Sequence, residues 1–154
     1  MEQRLNAFEK GQGAFKALYP LGAYLAKSSV EQHLLHLVFF RVSQINGCAY
    51  CLDMHSKDLR AAGESEQRLY MLDAWRESPV YTDRERAAFA WAEAVTKITN
   101  NDVPDAVYAQ AREQFTEEEL VDLTLAVTTI NTYNRLNIAF RVQGGSYTVG
   151  QHAA

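Results

Sequence analysis

The sequence has only two cysteines and three prolines among 154 residues, and it lacks any cluster of basic residues. Lysine and arginine are scattered along a chain of net charge −4, so no basic stripe indicates binding to nucleic acid or to an anionic membrane. A chain of this length can bury most of its apolar surface without disulfide bonds to stabilise it. We therefore expect one domain over residues 1–154, with one core and no linker.

Long apolar segments are also missing. The start of the chain has no apolar core behind a basic stretch, and Lys16, Lys27 and Glu31 interrupt the apolar residues that follow. This pattern predicts neither a secretory signal nor a membrane anchor and favours a cytoplasmic protein. In a reducing cytosol, two cysteines spaced C-x-x-C are more often catalytic or metal-binding than a structural disulfide.

Strand patterns, internal repeats and low-complexity segments are absent as well, whereas helix starts are frequent. A hydroxyl cap with Gln or Glu at the third helical position occurs at Ser29, Thr82 and Thr116. The patterns predict an all-α fold of about seven or eight helices and a loose tail over residues 144–154. The predicted helices lie near residues 3–10, 12–27, 30–45, 48–62, 65–74, 83–99, 104–114 and 117–141.

The helix from Val30 to Ile45 is apolar around most of its circumference, which predicts a central, buried position. Gly47 can end this helix in a left-handed conformation. Asn46 can then cap the next helix, which would place Cys48 in its first turn.

The last predicted helix has two apolar stripes, which predict packing inside the subunit and also against another subunit. Asn131 and Asn134 lie on the first stripe, where a buried amide must find partners. We interpret them as structural hydrogen-bonding residues rather than as members of a functional site. The first stripe contains Leu120, Leu123, Val127, Ile130 and Ile138, and the second contains Val121, Leu125, Leu136 and Ala139.

Both cysteines lie between Ser43 and His55. Offsets of three and seven from Cys48 place Cys51 and His55 on the same helical face, so two thiols and an imidazole can converge. Cα atoms about 5–6 Å apart are within reach of a disulfide, and the pair can cycle between dithiol and disulfide. A helix start favours a thiolate at Cys48, whereas Cys51 has His55 at i+4. With His55 as base, Cys51 is the predicted nucleophile and Cys48 the resolving cysteine.

Three interpretations of this group compete. The first is purely structural, with two small buried hydrophobic residues and a core histidine. The second is a Cys₂His₂ zinc site made by Cys48, Cys51, His55 and His36, although zinc knuckles usually lie on turns and this chain is large enough to fold without metal. The third is a thiol redox site, which needs neither cofactor nor metal. We favour it because both cysteines of the chain are used and His55 shares their face.

Two further residues are candidates for the same site. His36 can face the cysteine helix from the preceding helix, or it can be a core histidine with one hydrogen bond. Tyr50 lies between the cysteines, where its hydroxyl can donate to a peroxide or carry a proton, or where its ring simply packs. We interpret His33 and His152 as surface or structural residues.

The segment from Gln44 to His55 closely resembles the signature of the AhpD-like alkylhydroperoxidases, in the superfamily that includes the carboxymuconolactone decarboxylases. The resemblance covers most of the chain from about Leu34 to Val142. It implies a single all-helical AhpD-like bundle with its core over residues 30–142, assembled as a homo-oligomer, often a trimer or hexamer. Segments at Lys57–Glu64, Ala74–Pro79, Trp91–Ala94 and Asn131–Leu136 carry the resemblance further.

The resemblance also implies a thiol-dependent peroxidase that reduces hydrogen peroxide or organic hydroperoxides. The residue matching Cys51 attacks the O–O bond, and the resulting sulfenic acid is captured by Cys48 as a disulfide. The residue matching His55 takes part in a proton relay. A dithiol donor, such as a lipoyl protein or a thioredoxin-like partner, restores the thiols. The decarboxylase members lack the cysteine pair, so their activity is not expected here.

Two positions depart from the family pattern. Family members often have a glutamate as relay partner where this chain has His36, and the type enzyme has a further histidine where this chain has Tyr50. An imidazole can pass a proton but cannot replace a fixed negative charge. An alternative function is therefore a redox-sensing or interaction module whose Cys48–Cys51 disulfide switches with little turnover.

Overall fold

Eight α-helices and two short 3₁₀ turns make up the regular structure of residues 2–151, the part of the chain that the computed structural model describes. No strand occurs among these residues, so the all-α prediction is confirmed. The helices are α1 (Ala7–Lys10), α2 (Gln12–Leu25), α3 (Gln32–Asn46), α4 (Ala49–Ala61), α5 (Glu66–Met71), α6 (Asp83–Lys97), α7 (Asp105–Gln114) and α8 (Glu117–Phe140), with 3₁₀ turns at Leu72–Ala74 and Thr99–Asn101. Within the same residues, no helix is both long enough and apolar enough to cross a membrane.

Helix α3 is central and buried, as its apolar circumference predicts. It packs against α4, α6 and α8, and α8 in turn packs against α6 and touches α1, α2, α4 and α7. Helices α3 and α8 therefore form the centre of the bundle, and α4 packs against both. The buried apolar side chains of α3 are Leu34, Leu35, Leu37, Val38, Phe40 and Val42.

The two stripes of α8 differ in burial. The first is buried at Leu120, Leu123, Val127 and Ile130, but its last predicted member, Ile138, is 44% exposed. That part of the prediction is wrong because the core side of the helix shifts to Asn134 and Asn137 in the last turns. On the second stripe, Val121 is 69% exposed and Ala139 is also exposed, whereas Leu125 and Leu136 are half-buried.

Local capping signals predicted two helix starts correctly and one incorrectly. Thr82 and Thr116 form complete capping boxes at α6 and α8. Ser29 does not cap α3, whose N-cap is Glu31. Instead, the hydroxyl of Ser29 donates to Asp122 Oδ2 over 3.2 Å. A carboxylate from a distant part of the chain thus competes with the local cap.

The junction between α3 and α4 ends α3 as predicted, with Gly47 in the left-handed conformation at φ 67°. Asn46, however, is the last residue of α3 and does not cap α4, because its side chain is used elsewhere. Its Nδ2 donates to the Oδ1 atoms of Asn131 and Asn134, each at 2.9 Å. Cys48 is itself the N-cap of α4, so the helix begins at Ala49, one residue later than predicted.

The segment after α8 is not loose over its first residues, contrary to the prediction. Asp53 Oδ2 on α4 accepts the backbone N–H of Gly145 at 2.8 Å and that of Tyr147 at 3.0 Å. The Tyr147 side chain is buried. A Cβ at Gly144 would lie 2.6 Å from the carbonyl oxygen of Ala49, so the segment runs directly against the start of α4. This docking depends on side chains distant in sequence, which tail composition does not reveal.

Candidate redox site

The two cysteines lie at the start of α4, where the turn at Gly47 brings them against α3 and α8. Cys48 and Cys51 form a disulfide with their Cα atoms 5.4 Å apart, within the separation predicted from helical spacing. Each is only 1% exposed. Cys48 occupies the N-cap and Cys51 the first turn, so the positive end of the helix dipole favours negative charge at both.

Apolar side chains from both ends of the chain cover the disulfide. Phe8 on α1 and Val142 after α8 pack with Met54 against the cluster formed by Cys48, Tyr50 and Cys51. Neither Phe8 nor Val142 belongs to the cysteine motif, and sequence reasoning did not place them at the site. The cover keeps bulk water away from both sulfur atoms.

His55 follows Cys51 by one helical turn on α4 and is 7% exposed. Its Nε2 is buried and has no hydrogen-bond partner within residues 2–151. Burial, together with repulsion from His36, lowers the pKa of His55 from 6.5 to about 3. The imidazole is therefore neutral at physiological pH, which suits it to passing a proton but not to holding one.

His36 lies on α3 and is brought close to His55 by the packing of α3 against α4. Phe39 contacts both rings, with centroid distances of 5.9 Å to His36 and 5.6 Å to His55. Burial lowers the pKa of His36, and the charge of Asp58 opposes this only in part. Among the described residues, no hydrogen bond joins the two imidazoles, and His36 disfavours the charged form of His55 by repulsion.

Tyr50 is in the first turn of α4 and is 8% exposed. Its ring lies 6.0 Å from that of Phe8, so it packs under the cover of the disulfide. Burial raises the pKa of its hydroxyl, which remains protonated near neutral pH. The structure therefore places Tyr50 beside the cysteines, as a packed aromatic residue with a protonated hydroxyl.

Asn137 on α8 is a member of the site that the sequence reasoning missed. Its Nδ2 donates to Cys51 Sγ over 3.3 Å, and the residue is 4% exposed. A signal was available, because Asn131, Asn134 and Asn137 follow at intervals of three and share one helical face. The first two are structural, as interpreted: Asn134 donates to Ser43 Oγ, and Asn131 donates to Thr96 Oγ1.

The remaining histidines lie outside this group. His33 Nε2 lies 2.9 Å from Glu64 Oε2, a structural contact near the end of α4. His152 lies outside the described residues. Among residues 2–151, no group of three or more His, Cys, Asp or Glu side chains could hold a metal ion, so the zinc interpretation gains no support.

The sequence matches a known protein family and a relative from another organism. Residues 12–94 match the sequence model of the carboxymuconolactone decarboxylase family. The uncharacterized protein YdfG of Bacillus subtilis (strain 168) is 42% identical over 139 residues, which cover 90% of this chain and 95% of that protein. The chain belongs to the carboxymuconolactone decarboxylase family. Its resemblance to the AhpD-like branch is confirmed.

Solved structures agree with this family assignment. A protein of unknown function from Agrobacterium tumefaciens, described as a candidate antioxidant defence protein AhpD, has a TM-score of 0.90 and 43% identity, covering 95% of this chain and all of that one (100%). A peroxidase-related protein from Silicibacter sp. TM1040 has a TM-score of 0.73 and 25% identity, covering 87% of this chain and 70% of the other.

Three chemical groups meet at the start of α4: a cysteine pair, an imidazole and a side-chain amide. The cysteine pair can accept or release two electrons. A buried neutral imidazole follows one turn later, and a buried amide contacts one of the two sulfur atoms. Such a site can carry out thiol redox chemistry.

Proposed function

We propose that this chain is a thiol-dependent peroxidase that reduces hydrogen peroxide or organic hydroperoxides through Cys51 and Cys48. The observation that carries the proposal is the disulfide at the start of α4, enclosed by apolar side chains and followed by a buried neutral His55. A purely structural disulfide would explain the sulfur atoms but not the unpaired Nε2 of His55 beside them.

The proposed cycle has three balanced steps. The Cys51 thiolate attacks one oxygen of ROOH, so that an S–O bond forms, the O–O bond breaks and the leaving alkoxide takes up a proton to give ROH. The Cys48 thiol then attacks the Cys51 sulfenic acid, forming the disulfide and releasing water. Finally, a dithiol donor exchanges with the disulfide, which restores both thiols and oxidises the donor. A lipoyl protein or a thioredoxin-like protein is the proposed donor.

We assign the proton movements to His55, His36 and Tyr50. In this proposal His55 passes the thiol proton towards the leaving alkoxide, and His36 on α3 is its partner in the relay. Tyr50, protonated under the cover of the disulfide, is the proposed donor to peroxide oxygen. Three observations support these roles: Tyr50 packs in the same cluster as the cysteines, His55 is buried one turn after Cys51, and the half-buried His36 shares Phe39 with His55.

The proposed function is tested with the fully reduced protein. One equivalent of cumene hydroperoxide should consume both thiols and give one equivalent of the alcohol, and excess dihydrolipoamide should then support many turnovers. Loss of thiols without turnover, with any dithiol tried, would instead support the redox-sensing or interaction module. Unchanged thiols after exposure to peroxide would overturn both functions.

His36→Ala is expected to lower the peroxidase rate by about 10²-fold, the lower end of what a positioned proton-transfer group contributes. His36→Glu should keep or raise the rate, because a carboxylate restores the negative relay partner of the family. The measurement is hydroperoxide consumption at pH 7 with dihydrolipoamide in excess. His33→Ala, on the same helix but paired with Glu64, serves as the matched control and should leave the rate unchanged. Equal rates in all variants would make His36 a core residue.

We also propose a homo-oligomer, a trimer or hexamer. The outward stripe of α8, with Val121 69% exposed, and the exposed Tyr19 and Tyr24 of α2 offer apolar surface that one subunit leaves uncovered. Sedimentation velocity of the intact protein measures the assembly, and a sedimenting monomer at micromolar concentration would contradict it.

A further inference from the structure

Asn137 provides the one side-chain hydrogen bond to a sulfur of the cysteine pair within residues 2–151. Its Nδ2 lies 3.3 Å from Cys51 Sγ, whereas Cys48 makes no side-chain capping bond at the helix start. Hydrogen bonds to an ionised acceptor are roughly twice as strong as those to a neutral one. The contact therefore strengthens when the disulfide is reduced and Cys51 loses its proton, and it distinguishes Cys51 from Cys48.

The side-chain oxygen of Asn137 has a different environment from its nitrogen. Asn137 Oδ1 is buried and has no hydrogen-bond partner among the described residues. Asn134, one turn earlier, uses both halves of its amide, donating to Ser43 and accepting from Asn46. A purely structural amide would be expected to pair as Asn134 does. The unpaired Oδ1 can instead accept a hydrogen bond from an O–H group that is present only during the reaction, such as that of a sulfenic acid on Cys51.

Among the described residues, no ion pair or hydrogen bond joins a charged side chain to Cys51 Sγ. Burial lowers the pKa values of His36 on α3 and His55 on α4, so neither imidazole is cationic near neutral pH. Both cations of α4 bind carboxylates, Lys57 that of Asp53 and Arg60 that of Glu66, and Arg135 on α8 donates to Asn131. Burial by itself disfavours a thiolate. The amide of Asn137, in direct contact with Cys51 Sγ, offsets part of this penalty together with the helix start.

We propose that Asn137 is a catalytic residue that holds Cys51 as the attacking thiolate through Nδ2 and then accepts the O–H of the Cys51 sulfenic acid at Oδ1. This inference rests on the proposed function, in which Cys51 is the attacking thiol. In the peroxide step, the thiolate electron pair forms the S–O bond, the O–O bond breaks, and the alkoxide leaves and is protonated. The hydroxyl left on sulfur then donates to the amide oxygen until Cys48 displaces it as water.

The test measures the acidity of Cys51 without any peroxide. In a Cys48→Ser background, only Cys51 titrates as a thiol, and its rate of alkylation by iodoacetamide against pH gives its pKa. Asn137→Leu should raise that pKa by about one to two pH units, the effect of losing one hydrogen bond to a charged group. At a pH below the pKa of Cys51 in both proteins, reaction with hydroperoxide should slow by about tenfold to 10²-fold, in line with the thiolate fraction.

Asn131→Leu in the same background is the matched control, because it removes an amide from the same helical face whose partners do not include sulfur. It should leave the pKa of Cys51 unchanged.

If Asn137→Leu does not fold, NMR of the unsubstituted reduced protein replaces it, and the NMR signals of the Asn137 side-chain amide protons should shift as Cys51 ionises. An unchanged Cys51 pKa in Asn137→Leu, or amide protons that do not respond, would overturn the inference. A changed pKa without any peroxide turnover would support the hydrogen bond from Asn137 to the Cys51 thiolate but overturn both its catalytic role and the proposed peroxidase.

Discussion

Cys51→Ser is expected to lower hydroperoxide turnover by at least about 10³-fold, the order of effect seen when the nucleophile of a covalent mechanism is removed. A serine hydroxyl at this position is not ionised near neutral pH and cannot form a sulfenic acid. The backbone should be little affected, because the substitution replaces one buried sulfur by oxygen at a helix start. Consumption of cumene hydroperoxide with excess dihydrolipoamide is the measurement.

Cys48→Ser provides the matched control for this prediction. It removes the other buried sulfur of the same disulfide but leaves the proposed attacking thiol. The variant should consume about one equivalent of hydroperoxide without disulfide formation, leaving a Cys51 sulfenic acid that dimedone can trap and mass spectrometry can locate. If Cys51→Ser turned over peroxide as fast as the parent, or if dimedone labelled Cys48 in the parent, the assignment of roles would be wrong.

Glu93→Leu is expected to lower the free energy of unfolding by about 3–5 kcal/mol, because it breaks a buried charged cluster on α6. Glu93 Oε1 accepts Arg41 Nη2 and Trp75 Nε1, each at 2.8 Å, and its Oε2 accepts Arg76 Nη1 at 2.6 Å. Arg41 is 7% exposed and would keep its charge with the exposed Asp73 as its remaining ionic partner. Urea denaturation at pH 7 measures the loss.

Two comparisons make this prediction specific to the buried charge. Glu113→Leu, at an exposed position of α7, should change stability by less than about 0.5 kcal/mol. Arg41→Met combined with Glu93→Leu should recover much of the loss, since no unpaired charge then remains buried. Equal losses in the Glu93 and Glu113 variants would contradict the assigned role.

The Glu93 effect should also depend on pH. Burial by itself raises the pKa of this carboxyl, but hydrogen bonds from Trp75, Arg76 and Arg41 outweigh burial and hold the pKa below its ordinary value of 4.5. A carboxyl with a lowered folded-state pKa stabilises the fold above its unfolded pKa and loses that contribution as the pH falls through the folded value. The stability difference between the parent and Glu93→Leu should therefore be constant above about pH 5 and shrink below 4.5.

Much of the fold could be predicted because helix starts and helix faces are local properties. Thr82 and Thr116 cap their helices through residues three positions away, and the apolar circumference of α3 leads directly to its burial. Ser29 shows where such reasoning fails. Its local pattern is as good as the other two, but Asp122 from α8 binds its hydroxyl, and no local rule reports that competitor.

The candidate site also contains residues that local spacing predicts and residues that only tertiary packing brings in. The spacing of Cys48, Cys51 and His55 placed them on one helical face, since they lie within two turns of one helix. Asn137 was missed although Asn131 and Asn134 were noticed, because only the packing of α8 against α4 shows which amide reaches the sulfur. The docking of Tyr147 on α4 was missed for the same reason: its partners, Asp53 and Asp58, belong to a distant part of the chain.

The sequence by itself determined a helical protein with a cysteine pair at a disulfide-compatible spacing and an imidazole one turn later, because each of these depends on residues a few positions apart. The tertiary structure decided the environment of those groups. It enclosed the sulfur atoms beneath Phe8 and Val142, kept His55 neutral by burial, and directed the amide of Asn137 to Cys51. Burial and long-range hydrogen bonds set the acidity of a thiol, and they exist only once distant segments have packed together.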